Sequence, residues 1–544
     1  MKKTIRVLLL IFLGFFFLCP LLALFFQFQF SYQEIQDKIL QPSFLKSFVT
    51  TIKTCSFGGF FAVFLGLIFA RQFALNKWRL KRVQKLILLI PYLVPNFVLA
   101  IAFVIAWNPT SGVLNFIFQF PFGLYGISGI SFLFAIAHLP IAFLMLENKI
   151  QRIDPSLIEA ARLSGASHRQ IFYKIELPLL IPTLISSFCL CFALNISAFA
   201  IPAWIGAPEK NYTLTYKVYQ AIQLGRQEGI HEASFYSLIL FGLALIPFLA
   251  QIGLQKNEKR FVTVCGKASR VVEKKQSLKS FIGFQLFFWA TQILFWIAPL
   301  FCLLASTLVK PGCIHQEGLG CFSKMSLHAY SYVLFDLAET KSALQGSFIY
   351  GSLSALLILL ISFFSLFLFS KNQKMLKIIE WVFSIPIATP GAIIAIGLII
   401  FYSGGKLFNF YNTPWIVVIA YILKHQNLAF QPLKTGLMNI STTLMEAAQV
   451  SGAYPLKVWT AIVLPILKPE VLGGFFLVLI PILGELTMSI FLASPVFQSI
   501  GTVLFDLQDY ADQTSAAALS ILLVIFILCL NQLAWSVSKG KVGY

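Results

Sequence analysis

Glu159 and Glu446 stand in the same octet: Glu159-Ala160-Ala161-Arg162-Leu163-Ser164-Gly165-Ala166 recurs as Glu446-Ala447-Ala448-Gln449-Val450-Ser451-Gly452-Ala453. A carboxylate followed by two alanines and closed by a glycine is not a catalytic group. It is a polar contact point on a helix face smooth enough for another surface to approach closely. The other chemistry-bearing residues support no reaction: there is no His-Glu-x-x-His, no buried Ser/His pair and no paired carboxylates. Gly266-Lys267, Gly405-Lys406 and Gly540-Lys541 lack the context of a phosphate loop, so the chain has no ATP-hydrolysing site of its own.

Three further sets of residues need weighing. His138 and His425 are aligned by the repeat, but without clustered carboxylates or cysteines they read as helix-packing histidines, not metal ligands. Among nine cysteines none has metal-type spacing, and no cofactor is implied. Cys313 and Cys321 share the longest outward loop, 306–345, where a disulfide and two free thiols both remain open, depending on whether that side is oxidising. Glu485, in Gly484-Glu485-Leu486, is an acid at membrane depth, which costs roughly 2.5–3.5 kcal/mol if it stays charged. It should face the interior, either in an interhelical hydrogen bond or with pathway or gating duty. The matching position of the first half is Ala198, so Glu485 has no acidic counterpart at the repeat-equivalent position.

The elements that position these residues are membrane helices. With 58% hydrophobic and only 11% charged residues, the chain cannot cover a water-facing surface. Continuous apolar runs predict about twelve transmembrane helices, at 7–27, 50–70, 86–107, 125–146, 178–200, 234–254, 281–305, 346–370, 378–402, 414–432, 466–492 and 515–537. A barrel would show shorter alternating segments. The fold class expected is an all-α polytopic membrane protein built as two parallel six-helix repeats. The first helix is expected to be retained, since no small-x-small cleavage site precedes Phe30.

The net charge of +20 is concentrated on one side. Arg71, Lys77, Arg79, Lys81, Arg82 and Lys85 fill one short connection, and eight basic residues from Lys256 to Lys279 fill another. That distribution puts both termini in the cytoplasm. It speaks against nucleic acid, because the basic loops lack interleaved aromatic platforms.

The repeat runs beyond the octet. One spacing relates Leu177-Pro178 to Leu464-Pro465 and His138 to His425, while Pro91-Tyr-Leu-Val-Pro95 resembles Pro386-Ile-Ala-Thr-Pro390 at a spacing eight residues larger. This divides the chain into a first repeat at 1–254, a basic cytoplasmic join at 255–280 and a second repeat at 281–544. Each octet lies on a cytoplasmic helix–turn–helix connection, 147–177 and 434–465. Asp154-Pro155 should open the first helix, and Ser441 or Thr442 the second. Gly165 and Gly452 should end them in a left-handed turn. Leu177-Pro178 and Leu464-Pro465 should break the following helix. The prolines at 91, 95, 386 and 390 either interrupt helices or merely kink them.

Glu-Ala-Ala, three residues, Gly, then Leu-Pro resembles the cytoplasmic signature of permease subunits of binding-protein-dependent ABC importers. Two copies in one chain resemble a fused, two-half permease. The iron(III) type is the most similar, on Ile153-Asp154-Pro155-Ser156-Leu157, Phe199-Ala-Ile-Pro202-Ala-Trp-Ile-Gly206, Leu214-Thr-Tyr-Lys-Val-Tyr-Gln-Ala221 and Arg260-Phe-Val-Thr-Val-Cys-Gly266-Lys267. Thiamine, aminoethylphosphonate and polyamine permeases share much of this pattern.

The resemblance implies a type I importer fold in the bacterial inner membrane, embedded in lipid, and no enzymatic activity in this chain. It implies docking of an ATPase homodimer on Glu159, Ala160, Ala161, Gly165, Glu446, Ala447, Ala448 and Gly452. It also implies delivery of substrate by a periplasmic or surface solute-binding protein. The rival of a different class is an ion-coupled secondary transporter, which would not need paired Glu-Ala-Ala loops and would carry several intramembrane charges rather than Glu485 alone.

Overall fold

Inside hydrocarbon every backbone N–H and C=O must be satisfied within the chain, and the apolar runs meet that demand as helices. The computed structural model describes residues 2–27, 31–110, 112, 114–115, 123–225, 227–258, 278–309, 325–370, 372–403, 409–494, 497–509 and 512–537. Among them the only β pairing is an isolated bridge between Ser494 and Phe497. Cys313, Cys321 and most of the 255–280 join lie outside the described residues.

Among the described residues, eight helices are long and apolar enough to cross a membrane: Arg6–Phe26, Pro42–Leu75, Gly126–Gln151, His168–Ser197, Glu228–Gln251, Leu278–Leu308, Ala338–Phe369 and Gln513–Val537. Three more of the expected spans are not straight rods. Lys81–Leu93 and Asn96–Trp107 meet at 98°, Gln373–Ile387 and Gly391–Ser403 at 100°, and Pro455–Ile466 and Lys468–Leu483 at 70°. The first two breaks fall at Val94-Pro95 and Thr389-Pro390, while Pro91 and Pro386 sit inside helices. The expected 414–432 span is the helix Pro414–Met438, whose Lys424, His425, Gln426, Asn427 and Gln431 keep it out of the apolar class.

The chain divides into two compact units that do not coincide with the sequence repeats. One contains 1–31, 218–241 and 326–544; the other contains 32–217 and 242–325. In the first unit, Lys2–Gln27 packs on Gly391–Ser403 at Gly397, where an added Cβ would lie 2.4 Å from the Pro20 carbonyl oxygen. The N-terminal helix therefore belongs with the helices of the second repeat. In the other unit, Pro42–Leu75 lies against Gly126–Gln151 through Gly58 and Gly66; a Cβ on Gly58 would meet that of Phe134 at 2.5 Å. Small residues at such crossings let membrane helices gain van der Waals contact, the main attraction left when both sides of a helix are apolar. Phe284 and Phe288, from the helix that opens the second repeat, fill the same core as Phe69, Phe73 and Phe143 of the first.

Candidate functional site

The two Glu-Ala-Ala segments fold alike, residue for residue. Pro155–Leu163 and Thr442–Val450 are nine-residue helices at repeat-equivalent positions. The Asp154 carboxylate caps the first by accepting from Ser156 N–H at 3.0 Å. Ser441 occupies the cap position of the second, but its hydroxyl engages the Thr443 hydroxyl instead. Both helices end in the same pair of bonds. Ala166 N–H donates to Ala161 C=O and Gly165 N–H to Arg162 C=O; Ala453 N–H donates to Ala448 C=O and Gly452 N–H to Gln449 C=O. That motif needs a left-handed residue, and Gly165 and Gly452 take φ of +80° and +85°.

The faces so built point outward. Glu159, Ala160, Glu446 and Ala447 are exposed, and Ala161 and Ala448 are half-buried. Leu163 and Val450, the matching last residues of the two helices, are each 90% exposed. Each lies one helical turn from its glutamate, Leu163 after Glu159 and Val450 after Glu446, so the carboxylate and the exposed apolar side chain share a helix face.

A five-residue π-helical turn follows each copy, Phe172–Glu176 and Trp459–Val463. In the first copy Leu177-Pro178 does not break the helix, contrary to expectation: His168–Ser197 runs through as one span. In the second the bend falls at Leu467, two residues past Pro465. The turns are anchored differently. The Arg71 guanidinium stacks 4.6 Å from the Phe172 ring centroid and pairs with Glu176 at 2.7 Å, whereas the Trp459 ring sits edge-on to Phe363 and Phe367, at 5.2 and 5.3 Å.

Glu485 lies where the expected 466–492 helix is interrupted, between Lys468–Leu483 and Thr487–Leu492. Half-buried, it accepts from Met488 N–H at 2.8 Å and Ser489 N–H at 3.2 Å, capping the restarted helix. It is not the only intramembrane charge. Lys424, also half-buried, donates to the carbonyls of Thr389 at 2.5 Å and Ile387 at 3.2 Å, at the end of the helix broken before Pro390. The backbone turns extended at Thr389, so these last carbonyls have no following helical turn to bond, and a cation there also meets the negative end of the helix dipole. Tyr421 and Ser489 share a hydrogen bond of 2.8 Å beside them. The repeat places Ala137, Ala198, Val94, Phe134 and Pro202 where the second half has Lys424, Glu485, Thr389, Tyr421 and Ser489. Lys424 is legible in sequence as a lysine in the middle of the expected 414–432 span.

His138 and His425 are both buried, and the Nδ1 of His138 contacts the Phe134 carbonyl at 3.2 Å within its own helix. No group of metal-ligating side chains forms among the described residues.

The sequence pattern of the family described as "Binding-protein-dependent transport system inner membrane component" matches residues 62–260 and 358–537. The ferric transport system permease protein of Actinobacillus pleuropneumoniae is 23% identical over 99% of this chain and 78% of its own length. A putative ferric transport system permease protein of Haemophilus influenzae is 26% identical over 90% of this chain and 77% of its own. A putative 2-aminoethylphosphonate transport system permease protein of Salmonella paratyphi A is 31% identical, over 29% of this chain and 59% of its own. With both halves matched, the chain belongs to the family of binding-protein-dependent transport system inner membrane components.

Proposed function

We propose that this family member is the fused permease of an ATP-driven importer, with iron(III) as its cargo and with the two Glu-Ala-Ala helices as docking points for an ATPase homodimer. The observation that carries the docking reading is the pair of outward-facing helices with the same C-terminal turn, each ending in an exposed apolar residue one turn from its glutamate. Two like surfaces in one chain fit two like subunits. The motor is then a separate subunit, and a solute-binding protein supplies the opposite face.

With each bent pair taken as one crossing and Pro414–Met438 as a further one, the helices support a reading of twelve crossings in two six-helix repeats. Termini in the cytoplasm follow from the basic connections, and the repeat halves 1–254 and 281–544 remain the natural sequence division. The iron reading rests on the two ferric relatives, which match nearly the whole chain, whereas the phosphonate relative matches under a third.

Replacing Glu159 and Glu446 together by arginine puts bulky cations on both docking faces. Co-purification of the ATPase with the full-length chain should be lost, and stoichiometric recovery would overturn the docking assignment. Cargo is read separately. Membrane vesicles containing the complete importer should accumulate radioactive iron(III) only with its binding protein and ATP, and should lose uptake when a chelator removes the iron. Uptake of thiamine, aminoethylphosphonate or a polyamine in place of iron would reassign the cargo and leave the docking reading intact.

A further inference from the structure

Two lysine–glutamate pairs sit at matching places in the two repeats with their charges exchanged. Lys85 Nζ lies 2.5 Å from Glu147 Oε2, and Lys434 Nζ lies 2.6 Å from Glu380 Oε2. The spacing that matches the proline pairs carries Lys85 onto Glu380, and the spacing that matches the octets carries Glu147 onto Lys434. Even the supporting bond recurs. Gln151 donates to the second oxygen of Glu147 at 3.1 Å, and Gln431 to the second oxygen of Glu380 at 2.6 Å. Both glutamines lie on the helix that leads into a Glu-Ala-Ala loop.

Where a charge serves an outside partner, the repeat keeps its sign, as at Glu159 and Glu446. Here each residue has changed sign together with the residue it touches, so what the two halves share is the link itself. Within its own unit, each link joins the last turns of Gly126–Gln151 or Pro414–Met438 to Lys81–Leu93 or Gln373–Ala388. In both halves the residue on the second helix, Lys85 or Glu380, stands nine positions before the break, at Val94 or Thr389. That is about 14 Å of helix at 1.5 Å per residue. The other anchors of the two loops have unlike chemistry, ionic at Phe172 and aromatic at Trp459, whereas this link is common to both.

We propose that these charge-exchanged pairs are latches through which displacement of each Glu-Ala-Ala loop reaches the helix break beside Pro95 or Pro390. The inference rests on the docking reading, since it takes the loops as the place where the motor acts. Lys85, Glu147, Glu380 and Lys434 are positioning residues: none is on the docking face.

Hydrogen exchange of the permease–ATPase complex in lipid nanodiscs, with and without ATP, tests this without knowledge of the cargo. In the unaltered chain, ATP should change exchange both in the loops (155–165 and 442–452) and just past the breaks (96–101 and 391–396). A chain carrying K85M, E147Q, E380Q and K434M has no unpaired buried charge and should still fold. Its loops should keep their ATP response, while the response past the breaks should fall at least about fivefold, the low end of ordinary coupling between sites. The exchanged chain, K85E with E147K and E380K with K434E, should restore that response. A full response past the breaks in the neutral chain, or none in a folded exchanged chain, overturns the latches. A merely structural pair would raise exchange with and without ATP alike. Loops that show no response to ATP in the unaltered chain would sink the docking reading instead.

Discussion

Lys424 and Glu485 each hydrogen-bond to backbone, the lysine at carbonyls ending one broken helix and the carboxylate at N–H groups starting another. Charged hydrogen bonds of this kind contribute about 1.5–3 kcal/mol each, because an orphaned backbone group in an apolar setting has no alternative. Lys424→Met should therefore destabilise the purified chain by about 2–4 kcal/mol, measured by chemical unfolding in detergent, while Lys424→Arg keeps a donor and recovers most of the loss. An unchanged unfolding midpoint in Lys424→Met would show that the carbonyls find another donor. Glu485 was legible as an acid in an apolar run, but its task was not. A carboxylate that caps its own helix three residues on needs the break at Gly484, and the apolar run around it reads as one continuous span. Gly165 and Gly452 were fully legible, because Glu-Ala-Ala followed by Ser-Gly is a local signal and the left-handed turn is a local structure.

The treatment of proline shows where local signals stop sufficing at the level of the element. Val94 and Thr389, each before a proline, are extended, with ψ of 125° and 129°, and there the helices break. Leu177, Ala298 and Leu464 also precede proline yet stay helical, and each follows a five-residue π-helical turn. In those turns the residue before the proline donates five back: Leu177 to Phe172, Ala298 to Ile293 and Leu464 to Trp459. The wider turn relieves the clash between the proline ring and the preceding carbonyls, so the helix passes on. Sequence shows the proline; which response follows depends on what packs around the turn. In the first copy that packing is Arg71 on Phe172 and Glu176, with the Glu176 side chain only 7% exposed. Arg71→Met should cost about 3–5 kcal/mol by stranding that carboxylate. The double variant Arg71→Met/Glu176→Gln should recover much of it, and thermal melting of the two chains compares them directly. Equal melting temperatures would mean that Glu176 gains nothing from its partner.

At the scale of the whole molecule the repeats and the compact units divide the chain differently, and the difference has a consequence for folding. Hydropathy and the paired octets made the helices and the duplication legible, because both are properties of short stretches. Which helix packs with which was not, since in an apolar setting the choice rests on fits such as Gly397 against Pro20 that involve residues hundreds of positions apart. Residues 1–254 expressed alone lack Phe284, Phe288 and the rest of Leu278–Leu308, so Phe69, Phe73 and Phe143 lose part of their core, and Lys2–Gln27 loses Gly391–Ser403. Residues 281–544 alone lack the N-terminal helix in turn. Loss of one large aromatic side chain from a core costs about 3–5 kcal/mol, a large part of the 5–15 kcal/mol that holds an ordinary domain together. Either half alone should accordingly be degraded or aggregate. The two expressed together as separate chains should recover a protease-resistant complex, because every removed helix is supplied by the other piece. Limited proteolysis and size-exclusion chromatography in detergent read the outcome. A half chain that remains monodisperse and protected by itself would mean that the repeats fold independently and that the exchanged helices dock only afterwards.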